Sequence, residues 1–385
     1  MRALTAPEEA PVASWDGSGW VVRTKLTTTR DALVRRYRFG VVDEEREDGP
    51  PPREAKPWEL PTAPEPGDLP DLSAEYGTTP FDDFRRWLAR RSDPEPIDRA
   101  TAIDALDLVR RPFSIGAEAA AVARGRAADG GLDDVTIVLV CHGWGPFEQG
   151  AAERALDAIR TLGPKARLSV VQNRDEGPDG LASSTWAAER ARHPTVQVQT
   201  IENRGFADAC NVGARVARTR FLLLTQPDAW FGADAVRLAV ALSLSLAAVP
   251  SGGGRPAVVG PSGGYVPSWE PVFTEQGRNV ERFGVPVPVE WVGGYWMIVE
   301  RSAWRAVEGM WSRSFLYCEE PDLCLRLAAI GARSFVWGDL PVNHQRGGTI
   351  KRRLTREQMI AIHDDARRQF RLRWGIGLPD LGLPR

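Results

Sequence analysis

Three carboxylates fall within four residues at Glu319-Glu320-Pro321-Asp322. A carboxylate in such company can act as a general base, because its like-charged neighbours raise its pKa towards the working range of one. The same residues suit the acidic first turn of a helix beginning at Pro321, since proline is favoured at the first helical position and acids stabilise that end. The two readings are compatible. At Asn203-Arg204-Gly205-Phe206 the chain reads as a turn into a helix starting at Ala207. Glycine permits close backbone approach there, and the first N–H groups of the helix form an end that attracts anions; an ordinary left-handed turn followed by a core Phe is the plainer alternative. Asp228 directly follows Pro227 and by itself is a turn or helix-cap residue. His344 by itself reads as a structural histidine. Cys141-His142 invites a nucleophile–base reading, but neighbours on a strand face opposite sides and cannot pair in that way.

These residues need elements to hold them, and the central part of the chain supplies a regular series. Val135-Thr136-Ile137-Val138-Leu139-Val140 is a continuous apolar, mostly β-branched run, as is Leu168-Ser169-Val170-Val171 in shorter form. Val196-Gln197-Val198-Gln199-Thr200 and Phe221-Leu222-Leu223-Leu224 follow. Helical stretches over 151–162, 185–192 and 207–218 separate them. Runs of this kind mark strands buried on both faces, and their alternation with helices implies an α/β domain with a parallel sheet and right-handed crossovers. Ligands of such sheets bind beyond the C-terminal ends of the strands, here Cys141-His142, Gln172-Asn173 and Gln226-Pro227-Asp228.

Composition limits the function classes. The 385 residues carry 49 basic and 51 acidic side chains, a formal charge of −2, so no global basic field argues for nucleic acid. Four scattered cysteines form no CxxC pair and no disulfide framework is expected. The N-terminus lacks the apolar run of a signal peptide, and the most apolar window, 233–249, is interrupted by Asp234 and Arg237. A cytoplasmic protein is the expectation.

Four stretches in order resemble a family 2 nucleotide-sugar glycosyltransferase of the GT-A fold, in its rhamnosyltransferase-like and galactofuranosyltransferase-like branch. They are the opening strand and helix with a second strand ending Val171-Gln172-Asn173; Asn203-Arg204-Gly205-Phe206-Ala207 through Asn211-Val212-Gly213; Leu222-Leu223-Leu224-Thr225-Gln226-Pro227-Asp228; and Gly293-Gly294, then Phe315-Leu316-Tyr317-Cys318-Glu319-Glu320-Pro321-Asp322-Leu323-Cys324-Leu325-Arg326, then His344. Order and spacing agree over residues 134–349. The implied fold is a Rossmann-like, mostly parallel sheet flanked by helices, with an N-terminal extension and a C-terminal helix.

The resemblance implies roles. Asp228 and His344 would hold Mg²⁺ or Mn²⁺ on the donor diphosphate. Glu320 would be the base that deprotonates the acceptor hydroxyl in an inverting transfer, with Asp322 and Glu319 beside it. Cys141, His142, Gln172, Asn173, Asn203, Gly205, Gln226, Gly293 and Gly294 would line the nucleotide and sugar. The implied partners are a nucleotide-sugar donor and a glycan or lipid-linked acceptor, in cell-envelope polysaccharide synthesis. Several positions depart from the family pattern: Gln226 stands where Asp or Asn is usual, Glu320 replaces aspartate, Gln172 replaces the base-reading aspartate, and Cys141-His142 replaces a Tyr-Asn-like pair. Those departures support a rival reading, a degenerate non-catalytic module that still binds nucleotide or glycan. A nucleotidyltransferase would want a basic Gly-rich loop after the first strand, which His142-Gly143-Trp144-Gly145-Pro146 is not.

The flanks read as separate parts: a small β-rich module over 1–45, a linker over 46–80 with eight prolines between Pro50 and Pro70, a helical segment over 81–130, the catalytic domain over 131–350, and a tail over 351–385. Trp291-Val292-Gly293-Gly294-Tyr295-Trp296-Met297 offers rings on which a sugar can stack, or that fill a core. Arg346-Gly347-Gly348-Thr349 suits closure over phosphate. Between 351 and 374 eight basic residues face three acidic ones, a net +5. An amphipathic helix there either packs on the domain or makes peripheral contact with the inner, anionic face of a membrane.

Overall fold

The computed structural model describes residues 12–15, 20–25, 32–38, 41–46, 80–92, 94–110, 117–127, 132–143, 146–162, 167–173, 181–192, 196–248, 255–264, 286–345 and 353–374. The proline-rich linker and Arg346-Gly347-Gly348-Thr349 lie outside them. Four strands come first, β1 (Val12–Trp15), β2 (Trp20–Lys25), β3 (Ala32–Arg38) and β4 (Val41–Arg46), joined in order as an antiparallel meander. Helices α1 (Pro80–Leu88), α2 (Arg99–Arg110) and α3 (Ala117–Arg126) follow.

The α/β part then runs β5 (Val135–His142), α4 (Pro146–Arg160), β6 (Arg167–Asn173), α5 (Leu181–Arg192), β7 (Val196–Ile201), α6 (Phe206–Arg215), β8 (Phe221–Thr225), β9 (Ala229–Phe231), α7 (Ala233–Ala248), β10 (Arg255–Gly260), β11 (Gly263–Gly264), β12 (Val287–Val289), β13 (Trp291–Val292), β14 (Trp296–Glu300), α8 (Arg301–Ala306), α9 (Glu319–Ala329), β15 (Ala332–Val336), β16 (Val342–His344) and α10 (Arg356–Trp374). Eight strands form one sheet in the order β12-β15-β10-β14-β8-β5-β6-β7. Strands β7, β6, β5 and β8 are mutually parallel, as are β10 and β15, while β14 and β12 pair antiparallel with their neighbours. The fold is therefore α/β, with a mostly parallel sheet flanked by helices. Every residue of β8 is buried and so is β5 up to Cys141, as continuous apolar strands covered on both faces must be.

One antiparallel strand decides where chemistry can sit. Because β14 runs against β8, with Trp296 opposite Thr225, the segment that enters it arrives at the C-terminal end of the parallel strands. Gly293, Gly294 and Tyr295 thus stand beside Gln226. Trp296, a candidate sugar platform, is wholly buried and belongs to the core.

The terminal helices pack on this body. Ala102, Ala105, Leu106 and Val109 of α2 share a cluster with Leu325 and Ala328 of α9 and Phe370 and Trp374 of α10. Phe84 of α1 meets Phe315, Leu354 and Ile362 in another. Helix α10 is thus the packed form of the two tail readings along one face, while Ile360 and Leu372 remain exposed on the other. Among the described residues no helix is long and apolar enough to cross a membrane.

Candidate active site

The C-terminal end of β8 passes into a tight turn. The Tyr295 carbonyl accepts bonds from the Gln226 N–H and the Thr225 hydroxyl, both at 3.1 Å, and the Ala229 N–H bonds back to the Gln226 carbonyl at 3.1 Å. After the turn β9 pairs antiparallel with β16, placing His344 opposite Ala229, and the Gln345 N–H bonds the Asp228 carbonyl at 2.9 Å. This small ladder brings together two residues 116 positions apart: His344 Nε2 lies 3.7 Å from Asp228 Oδ1. Asp228 is buried, and its Oδ1 has no hydrogen-bond partner among the described residues. A buried carboxylate oxygen left unpaired is costly, and a cation removes that cost. Two atoms that each touch one ion at about 2.1 Å lie no more than about 4.2 Å apart, a limit the pair meets. The residues therefore fit a divalent ion, although among the described residues no cluster of three or more His, Cys, Asp or Glu surrounds one.

Across the Gly293–Gly294 turn stands the acidic cluster. Tyr317 and Cys318 hold φ of 73° and 66°, left-handed values rarely taken by residues with side chains. The Ser314 hydroxyl donates to the Tyr317 carbonyl at 2.5 Å, and α9 begins directly afterwards. It starts at Glu319, two residues earlier than the proline rule suggested, because the left-handed pair turns the chain before Pro321 is reached. Glu319 and Glu320 consequently occupy its first turn. Glu320 is half-buried and its Oε1 accepts the Gly294 N–H at 3.0 Å. Burial pushes its carboxyl pKa up, partly offset by backbone N–H donors. Gly294 is needed as glycine, since a Cβ there would lie 2.5 Å from Glu320 Oε1 and 2.8 Å from the Phe206 ring. Glu319 is buried with Oε2 unpartnered, and burial together with the Glu320 charge holds its pKa well above the ordinary value.

Asp322 stands apart from its neighbours. It is fully buried and accepts from Arg326 Nε and Arg373 Nε, each at 2.6 Å, and from Trp374 Nε1 at 3.1 Å. So occupied, it ties α9 to the end of α10. Arg373 also donates to the Glu95 carbonyl at 3.1 Å and lies over the Trp311 ring.

The Asn203–Phe206 segment braces the other side. Asn203 Oδ1 accepts the Gly205 N–H at 3.1 Å while its Nδ2 donates to Asp83 of α1, also at 3.1 Å. Gly205 has φ of 102°, and a Cβ there would sit 2.0 Å from the Phe315 carbonyl oxygen, which accepts the Phe206 N–H at 3.1 Å. The Gly205 and Phe206 N–H groups are therefore spent inside the protein, not offered to an anion. Asn211 clasps both backbone groups of Met310, and Gly213 packs on Val138 and Val171.

The remaining candidates line the ends of β5 and β6, where Cys141 faces Gln172 and His142 faces Asn173 in register. Cys141 is buried and burial drives its thiol pKa far up, away from any nucleophilic role. His142 Nδ1 lies 3.0 Å from the Asn173 carbonyl. Gln172 is wholly buried, accepting from Trp186 Nε1 at 3.3 Å and donating to the Gly143 carbonyl at 3.4 Å, while Asn173 Nδ2 donates to the Gly205 carbonyl at 3.3 Å. Sequence reasoning missed Asp83, an acid in an ordinary-looking amphipathic helix, and Arg353. The Arg353 guanidinium lies against Gly143 and is 3.7 Å from Glu148; as one of the basic residues Lys351-Arg352-Arg353 it gave no signal of its own.

No family model matches the chain, and no curated protein matches it. Among solved structures it is similar to the mannosyltransferase PcManGT from Pyrobaculum calidifontis in complex with GDP-Man and Mn²⁺, at 18% identity over 70% of this chain and 76% of that one, with a TM-score of 0.42. It is also similar to GalNAc-T7 with UDP, GalNAc and Mn²⁺ (15% identity, 65% of this chain and 51% of that one, TM-score 0.44). A third is TarS 1-349 from S. aureus (12% identity, 61% and 65%, TM-score 0.40).

Proposed function

We propose that the chain is a metal-dependent, inverting glycosyltransferase of family 2 and the GT-A kind, moving a sugar from a nucleotide diphosphate donor to a glycan or lipid-linked acceptor. The observation that carries this reading is the convergence of a buried Asp228, a half-buried His344 and a half-buried Glu320 on one short segment, Gly294-Tyr295.

In this reading Asp228 and His344 would hold Mg²⁺ or Mn²⁺, which would supply positive charge against that developing on the diphosphate. Glu320 accepts the proton of the acceptor hydroxyl as that oxygen bonds to the anomeric carbon. The carbon–oxygen bond to the diphosphate breaks on the opposite face, the nucleoside diphosphate departs with the electron pair, and the configuration inverts. Its raised pKa makes Glu320 a stronger base once ionised. Gly294 donates to the carboxylate and holds it in place. Asp322 takes no part in the chemistry and fixes the helix that carries Glu320. His142, Asn173 and Gln226 border the nucleotide at the strand ends. The exposed Ile360 and Leu372 and the net +5 tail favour peripheral membrane contact near a lipid-linked acceptor.

The test incubates the full chain with Mn²⁺ and a panel of nucleotide sugars, following donor hydrolysis and thermal shift. Turnover of one donor is expected. If no donor stabilises the chain and none is consumed, the reading fails. A second reading, a non-catalytic nucleotide- or glycan-binding module, is favoured by the departures at Gln172, Gln226 and Glu320; stabilisation by a donor without turnover supports it.

A further inference from the structure

We propose that Tyr295 is the positioning residue of the cation pair, fixing both of its members at once; the inference rests on Asp228 and His344 holding a divalent ion. The His344 imidazole lies flat on the Tyr295 ring, with centroids 3.9 Å apart and planes 3° from parallel. The far end of the ring is fixed as well, because the Ser262 hydroxyl donates to the Tyr295 hydroxyl at 2.8 Å. The carbonyl of the same residue takes the Gln226 N–H and the Thr225 hydroxyl, which sets the turn that ends at Asp228.

His344 needs such a support. It sits at the end of β16, a three-residue strand paired only with the three-residue β9, and among the described residues this short ladder is its backbone support on the sheet side. An imidazole in that position can rotate about its ring torsion, which is broad. A ring stacked against one face removes that freedom and leaves Nε2 turned towards Asp228 Oδ1. Partners that orient a ligand imidazole usually do so by a hydrogen bond to its second nitrogen, and their loss weakens metal affinity about 10- to 100-fold; here a stacked aromatic face takes that part. One face of Tyr295 is thereby committed to histidine, so the sequence expectation of a sugar platform does not apply to that face.

The experiment titrates the purified full chain with Mn²⁺ alone and reads the free-ion signal by electron paramagnetic resonance. Tyr295→Phe keeps the flat ring and is expected to bind as the parent does. Tyr295→Leu and the volume-filling Tyr295→Met are expected to bind at least about tenfold more weakly, with circular dichroism and melting without metal close to the parent for at least one of the two. Parental affinity in a folded Leu or Met variant overturns the proposal, and so does a Phe variant as weak as Leu. Asp228→Ala separates this from the underlying reading. If the parent binds no Mn²⁺, or Asp228→Ala binds it equally well, the pair is not a cation site and both fall. If Asp228→Ala loses Mn²⁺ while Tyr295→Leu keeps it, only the role of Tyr295 falls.

Discussion

Arg373, one residue from the end of the C-terminal helix, places Nε 2.6 Å from Asp322 Oδ1 in the first turn of the helix that carries Glu320. A residue from the far end of the chain thus holds the candidate base from behind. Arg373→Met leaves a buried carboxylate with one charged donor fewer, and the expected loss is about 2 kcal/mol of stability. Urea unfolding measures it. A loss below about 0.5 kcal/mol would show that Arg326 and Trp374 suffice.

Gly205 and Gly294 are glycines for different reasons, so alanine should affect them differently. Gly205→Ala forces a Cβ into the Phe315 carbonyl at a left-handed φ, and a loss of at least about 2 kcal/mol is expected from backbone strain and displacement. Gly294→Ala meets the far end of the Glu320 side chain, which can swing away, and the edge of the buried Phe206 ring at 2.8 Å, which must shift. It should lose less stability than Gly205→Ala and yet lose most donor turnover. Equal melting losses in the two variants would contradict the distinction.

Glu320→Gln should lower transfer by about 10²- to 10⁴-fold, the usual contribution of a general base, with donor binding intact. The parent should be active only once Glu320 is ionised, so its rate climbs with pH along a limb displaced upward from the ordinary glutamate range. The pH profile of turnover reads this directly. If Glu320→Gln leaves transfer intact, the base lies elsewhere while the enzyme class stands.

Glu319 bears on stability rather than rate. Its pKa is higher in the folded chain than in the unfolded one, so the fold binds the proton more tightly. The stability this contributes is fully present below the ordinary glutamate value of about 4.3 and is lost as pH rises through the elevated one. Glu319→Gln should flatten that decline and melt no lower than the parent at pH 8. Melting midpoints from pH 5 to pH 8 for both proteins test it, and parallel curves would refute it.

The parallel half of the sheet was legible because strands buried on both faces are close to continuously apolar, as residues 137–141 and 221–224 are. Strands β9, β11, β12, β13 and β16 were not, because they are two or three residues long and owe their form to pairing with a neighbour instead of local pattern. Asp228, His344 and Glu320 could be singled out by motif order, whereas their meeting around the Gly294-Tyr295 segment appears only when β14 enters the sheet in reverse. Asp322 shows the opposite case: its residue type and spacing matched its acidic neighbours, and only the structure shows the three donors that surround it. Asp83 carried no signal, because its partner Asn203 lies 120 positions away.

The short β9–β16 ladder has a consequence for the order in which the protein matures. As the chain is synthesised, β5 to β8 are complete by residue 225, long before His344 has been made. Until β16 docks, Asp228 has no imidazole beside it, so on the proposed reading a nascent or C-terminally shortened chain can possess half of its sheet or more without a complete cation pair. If the pair holds a cation, its acquisition would then be a late checkpoint, passed only by molecules that have brought both ends of the domain together.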